Sequence, residues 1–287
     1  MGGIIDTQIH IGPGKIEETL AAMDALGIQS ALIDEYWLSD MFAYHPNHPL
    51  ENGAIRPVCP TAELASQMYP ERFSWVLRVD KDDPEFAAII RMVKTSPAGR
   101  GIRLIPGMTP QGVKDFSEGA YDHLLAAAAE NDLPVFLHLP DHPEAIGERA
   151  RKFPSLRIIV DHCGLFHNHM RAMYGKDAIT LSDEEQLALY DRLLRLSEFD
   201  NIALKWAHAS TMFNIPAFPG EKLRPILRDT IRHFSADRIM WASDFSVNQR
   251  GESWSELLYG MKCNTDLTEQ EASAILGDTA RTWLNWK

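Results

Sequence analysis

Cysteine is scarce and scattered. The 287-residue chain has three, Cys59, Cys163 and Cys263, with no Cys-x-x-Cys pair. An odd, widely spaced set excludes a disulfide framework and a cysteine zinc knuckle, and leaves the three as packing residues. Long apolar runs are missing too: Asp6 and Gln8 interrupt the first one, and no later stretch approaches the roughly 20 residues of a membrane-spanning helix. Met1-Gly2-Gly3 lacks the basic start of a secretory leader, so the expected location is cytoplasmic. Basic residues are outnumbered, 28 Lys and Arg against 40 Asp and Glu, for a formal charge of -12. Such a surface repels phosphate backbones and anionic lipid, so neither nucleic acid nor membrane is an expected partner. No Gly-x-Ser-x-Gly elbow and no dinucleotide fingerprint occur, and Gly12-Pro13-Gly14-Lys15 lacks the spacing and the following Ser or Thr of a P-loop.

What is present is ordinary globular material, 45% apolar and 24% charged. Short apolar runs alternate with longer amphipathic stretches from end to end, the pattern of repeated βα units. Eight strands are predicted, at Gly3 to His10, Ser30 to Tyr36, Ser74 to Val79, Gly101 to Ile105, Val135 to Leu139, Ile158 to His162, Ile202 to Trp206 and Ile239 to Ser243. Helical patterns lie between them, at Ile16 to Leu26, Thr61 to Met68, Pro84 to Thr95, Ala120 to Glu130, Pro143 to Lys152, Asp183 to Leu196 and Pro225 to His233. A last one, about 268 to 286, opens with the capping-box spacing Thr268-Glu269-Gln270-Glu271 and carries Trp283 and Trp286 as anchors. The expected fold is α/β, a (β/α)₈ TIM-like barrel forming a single domain over 1–287. Two stretches exceed the short connections usual in such folds, Trp37 to Pro60 with His45 and His48, and Gly164 to Thr180 with His167 and His169. As long loops that could cover a barrel mouth, they are candidates for specificity.

Strand alternation puts Asp6, Gln8 and His10 on one face of the first strand, the last two at its exit. Three more strands finish on ligand-type or acid/base-type side chains, at His138, His162 and Asp244. In a barrel, strand exits converge on one mouth. Histidine and carboxylate groups meeting there suit one divalent metal that activates water, with a free group left to move protons. Arg78 and Arg103, on the third and fourth strands, are candidates for a substrate carboxylate or for pairing with a nearby acid such as Asp80. Lys205 and His208 stand at the seventh-strand exit, and His208 joins the candidate substrate-binding residues.

These motifs resemble the amidohydrolase superfamily, specifically the amidohydrolase 2 branch of small-acid lactonases, decarboxylases and hydratases. That branch starts Asp-x-His-x-His, has Arg-Gly-Ile-Arg-Leu on a strand, histidines ending strands five and six, and a late Gly-Ser-Asp. This chain has Asp6-Thr7-Gln8-Ile9-His10, Arg100-Gly101-Ile102-Arg103-Leu104, His138, Asp161-His162 and Ala242-Ser243-Asp244, and the likeness runs on through Ile275 to Ala280. The resemblance implies Gln8, His10, His138 and Asp244 as metal-facing residues, zinc or manganese being the expected ion. It implies His162 as a polarising or proton-transfer residue and Asp244 as the base for attacking water. Gln8 departs from the motif: an amide oxygen is a poorer zinc donor than a neutral imidazole, so metal binding is expected to be weakened or absent. A carbamylatable lysine is missing from the fourth-strand exit, which disfavours a binuclear centre.

The expected activity is hydrolysis of a small acidic substrate, a lactone or cyclic ester, with Asp244 as base and His138 and His162 polarising the carbonyl. A metal-dependent decarboxylase or hydratase using the same residues is the alternative, and a non-catalytic binding barrel the third reading. A homodimer is the expected assembly.

Overall fold

The computed structural model describes residues 2–39, 42–44, 46–166, 181–247 and 250–286. Eight parallel strands hydrogen-bond in sequence order around a barrel. They are β1 (Ile4–Ile9), β2 (Ile28–Asp34), β3 (Phe73–Arg78), β4 (Gly99–Leu104), β5 (Val135–Leu137), β6 (Ile158–Val160), β7 (Ile202–Trp206) and β8 (Ile239–Trp241). Every expected strand is present, with helices between them as the α/β alternation requires. Three side-chain and main-chain bonds join the first strand to the last strand and its exit. Thr7 Oγ1 donates to the Trp241 carbonyl at 2.7 Å, the Ser243 amide to Asp6 Oδ1 at 3.0 Å, and the Asp244 amide to the Gln8 carbonyl at 3.0 Å.

The helices follow local chemistry. Ile16–Leu26 ends at Gly27, whose left-handed φ of 71° lets its amide bond back to the last turn. Asp183–Leu194 starts on a Ser182/Glu185 capping box and then tightens into a 3₁₀ turn at Arg195–Glu198, short of the expected Leu196 end. Among the described residues, the helices Pro110–Ser117, Ala209–Met212 and Trp254–Lys262 were not foreseen. The segment expected to be irregular after β2 contains two short antiparallel hairpins, Trp37–Ser39 with Phe42–Tyr44 and Asn47–Pro49 with Ile55–Pro57. His48 is exposed on the second; His45, His167 and His169 lie outside the described residues. Cys59 and Cys163 are buried as packing residues, whereas Cys263 is exposed.

The barrel interior is layered. At the bottom Ile5, Leu32, Val76, Phe136, Ile159, Ala203 and Met240 make one apolar cluster, closed from below by Ala280, Trp283, Leu284 and Trp286 of the terminal segment. That segment begins on the Thr268/Glu271 capping box and includes a π-helical turn at Ala274–Asp278. At the same level β4 supplies Gly101, where a Cβ would come within 2.7 Å of the Pro134 carbonyl and 3.0 Å of the Phe136 ring. The missing methyl there leaves Phe136 its space. Two residues further along β2 to β7, the inward positions change character and read Asp34, Arg78, Arg103, His138, Asp161 and Lys205.

On β1 the alternation shifts. Its register against β2 passes from Asp6↔Ala31 to Ile9↔Ile33, three residues against two. This irregularity separates residues expected to share a face. Asp6 sends its carboxyl to Trp254 Nε1 at 2.7 Å, while Gln8 and His10 reach the side chains of the mouth.

Candidate active site

The upper layer is a chain of buried ion pairs. Arg78 Nε and Nη2 donate to Asp34 Oδ1 and Oδ2 at 2.9 and 2.6 Å. Arg103 donates through Nη1 to Asp34 and through Nε to Asp161 Oδ2 at 2.8 Å, and its Nη2 lies 3.3 Å from His162 Nε2. Lys205 Nζ sits 2.6 Å from Asp161 Oδ1 and donates to Gln8 Oε1 at 2.8 Å, with the Phe136 ring of the layer below centred 4.5 Å away. Gln8 Nε2 then donates to Asp244 Oδ2 at 2.9 Å.

Burial alone would raise the carboxyl pKa values of Asp34 and Asp161. The guanidinium groups of Arg78 and Arg103 beside the first, and Arg103 and Lys205 beside the second, hold both well below the usual carboxylate range. Burial pulls the Lys205 ammonium down, with Asp161 opposing it. The arginine partner suggested by sequence, Asp80, is the wrong acid. Asp80 accepts main-chain amides of Ile55 and Asp82, and the carboxylate inside the barrel is Asp34. Arg103 has all three nitrogens engaged. Arg78 keeps Nη1 without a partner among the described residues and rests over the Tyr36 ring at 4.9 Å, so it is the arginine with an open edge.

Asp244 is the centre of the exits. It is 1% exposed; His10 Nε2 lies 2.8 Å from its Oδ1, and His208 Nε2 lies 2.9 Å and His162 Nε2 3.8 Å from its Oδ2. Burial pushes its carboxyl pKa up, but the neighbouring His10 and His208 outweigh this and hold it well below the ordinary value. His138 joins through His162, their ring centroids 5.3 Å apart, and the His162 and His208 rings are 5.0 Å apart. Burial and the nearby Arg103 lower the His138 pKa to about 3, and burial likewise depresses His162, so both are neutral imidazoles near pH 7. Among the described residues, the buried Nδ1 atoms of His138, His162 and His208 find no hydrogen-bond partner. Asp244, His162 and His208 all have left-handed backbones, with φ of 49°, 52° and 53°.

The sequence reading named Gln8, His10, Arg78, Arg103, His138, His162, His208 and Asp244, and the barrel brings all eight to one end. It did not give roles to Asp34 and Asp161, or to Tyr36. Their signal was the two-residue alternation: Asp34 follows the inward Leu32, and Asp161 the inward Ile159. Cys163, next to His162, is buried with its thiol pushed up by burial, which suits packing rather than nucleophilic attack.

Two groups of three have donor types and spacing for a cation among the described residues, His138–Asp161–His162 and His162–His208–Asp244. The surroundings do not fit one. Both Asp161 oxygens face cations, Arg103 and Lys205. At Gln8 the Lys205 ammonium takes the amide oxygen, so the amide N–H group, not a lone pair, is turned toward Asp244.

Comparison with known proteins gives a consistent family. A comparison with curated proteins finds no match. Among solved structures, an amidohydrolase from Burkholderia multivorans with bound zinc is similar at 15% identity and a TM-score of 0.73, covering 99% of each chain. A candidate 2-pyrone-4,6-dicarboxylic acid hydrolase from Pseudomonas putida is similar at 20% identity and a TM-score of 0.69, covering 99% of this chain and 98% of that one. A 5-carboxyvanillate decarboxylase from Novosphingobium aromaticivorans, complexed with manganese, is similar at 17% identity and a TM-score of 0.61, covering 98% and 96%. At such identities the likeness establishes the shared (β/α)₈ fold. The amidohydrolase family profile matches residues 5–286, nearly the whole chain, and the protein therefore belongs to that family of enzymes.

Proposed function

We propose that the mouth hydrolyses a small carboxylated substrate, a lactone or related cyclic ester, with Asp244 as the base. The observation that carries this reading is an ionised, almost fully buried carboxylate at the meeting point of His10, His162 and His208. A carboxylate of low pKa is a weak base alone. His208 Nε2, 2.9 Å from Asp244 Oδ2, is placed to share the proton removed from water. His138 and His162, being neutral, can each donate one N–H to the carbonyl oxygen as it gains charge. The open edge of Arg78 suits the substrate carboxylate, and its pairing with Asp34 fixes the fork in place. Arg103, closed on Asp34, Asp161 and His162, acts by holding these groups.

Asp244→Asn tests the reading. Turnover of the lactone that wild type accepts should fall by about 10²–10⁴-fold in a variant that still unfolds cooperatively, since a positioned base contributes that much. Retained turnover in the folded variant would remove Asp244 as base.

Decarboxylation at the same site is the second reading, supported by the carboxyvanillate decarboxylase among the fold relatives. It predicts carbon dioxide release from a carboxylated aromatic and an activity that requires added manganese or zinc. The lactonase reading predicts full activity after chelation.

A further inference from the structure

We propose that Gln8 and Lys205 form a lock that fills the cation position of this mouth with protein hydrogens. An ammonium has donors only, so Lys205 can face only the carbonyl end of the Gln8 amide, and it does so at 2.8 Å. That contact fixes which way the amide points. Its nitrogen then lies 2.9 Å from Asp244 Oδ2 and 3.3 Å from His10 Nε2, between two groups that a metal would use as ligands. A divalent ion there needs lone pairs from its surroundings, and Gln8 offers it N–H hydrogens instead.

Lys205 has nowhere else to go. It is 1% exposed, held by Asp161 at 2.6 Å and seated over the Phe136 ring. Charge supports the same conclusion. Arg78, Arg103 and Lys205 oppose Asp34, Asp161 and Asp244, three against three, so an added divalent cation would meet no surplus of negative charge. A glutamine in place of the family's first histidine is thus half of a matched pair whose other half lies 197 residues away. This inference concerns what occupies the mouth and does not depend on which reaction takes place there.

The test is metal content. Wild type, Gln8→His and Gln8→His/Lys205→Met are each incubated with zinc or manganese, desalted and measured by elemental analysis and by the shift of the melting midpoint on adding the ion. Wild type and Gln8→His should retain only substoichiometric metal and show no shift, because Lys205 persists in both. The double variant should retain about one equivalent per chain and melt higher with metal, as a ligand bound only by the folded state requires. Two results would overturn the proposal. One is a stoichiometric ion in wild type that disappears in Asp244→Asn; the other is a folded double variant without metal. If the double variant does not fold, the wild-type measurement with its Asp244→Asn control decides alone.

Discussion

The lower and upper halves of the barrel interior use the same strands and the same inward face, yet rest on opposite physics. Below, Leu32, Val76, Phe136, Ile159, Ala203 and Met240 lose water at a gain of about 25 cal/mol for each Å² buried. Above, two residues on, Asp34, Arg78, Arg103, Asp161 and Lys205 lose water at a cost that only mutual pairing offsets. The lower half asks for apolar volume that fits its space, without regard to charge or hydrogen-bond direction. The upper half works only if each charge meets its own partner, so it selects one register and one set of side-chain directions.

Cutting the upper network should produce the largest effect. Arg103→Met strands Asp161 with one cation and Asp34 with another, and should cost about 3–5 kcal/mol in urea unfolding, as breaking a buried pair does. A loss below about 1 kcal/mol would mean that water replaces the guanidinium and that the layer is not dry. The acid response follows from the same groups. Asp34 and Asp161 have pKa values held below their ordinary 3.8, so the stability they contribute is present above that value and lost as pH falls below it. The urea midpoint should therefore start to fall below about pH 6.5, where unfolded His138 and His162 take up protons that the buried imidazoles refuse, and fall further beneath about pH 4 as Asp34 and Asp161 contribute, this second part less steeply in Arg103→Met. Packing changes below should be smaller and insensitive to acid. Gly101→Ala, which forces a methyl against Phe136 and the Pro134 carbonyl, should cost about 1–3 kcal/mol. Ile159→Val should cost about 0.5–1.5 kcal/mol, the same at pH 7 and pH 4.

The same division explains what could be read before the structure. All eight strands were legible because each is a short apolar run between turn residues, and their exits could be aligned by counting. The helices at Trp254–Lys262 and Pro110–Ser117 are not among the expected ones, although Ser253 and Glu256 have capping-box spacing and Thr109 stands before Pro110 as an N-cap. Pairing was harder. Arg78 and Asp80 are neighbours in sequence, but a strand sends residues of even spacing to one face only while it lasts, and β3 ends at Arg78. The true partner, Asp34, is 44 residues away on the adjacent strand, a distance removed by the parallel pairing of β2 with β3. The register shift in β1 was equally silent, since an extra residue in one strand leaves no mark in its composition.

Histidine or aspartate in a left-handed backbone costs about 1–2 kcal/mol relative to glycine, and three such residues, His162, His208 and Asp244, ring the mouth. Glycine would relax the main chain at each and would delete an imidazole or the carboxylate in doing so. Selection for heat tolerance alone would therefore be drawn to the rim of this barrel, and the variants it favoured there would fold more readily and do less chemistry.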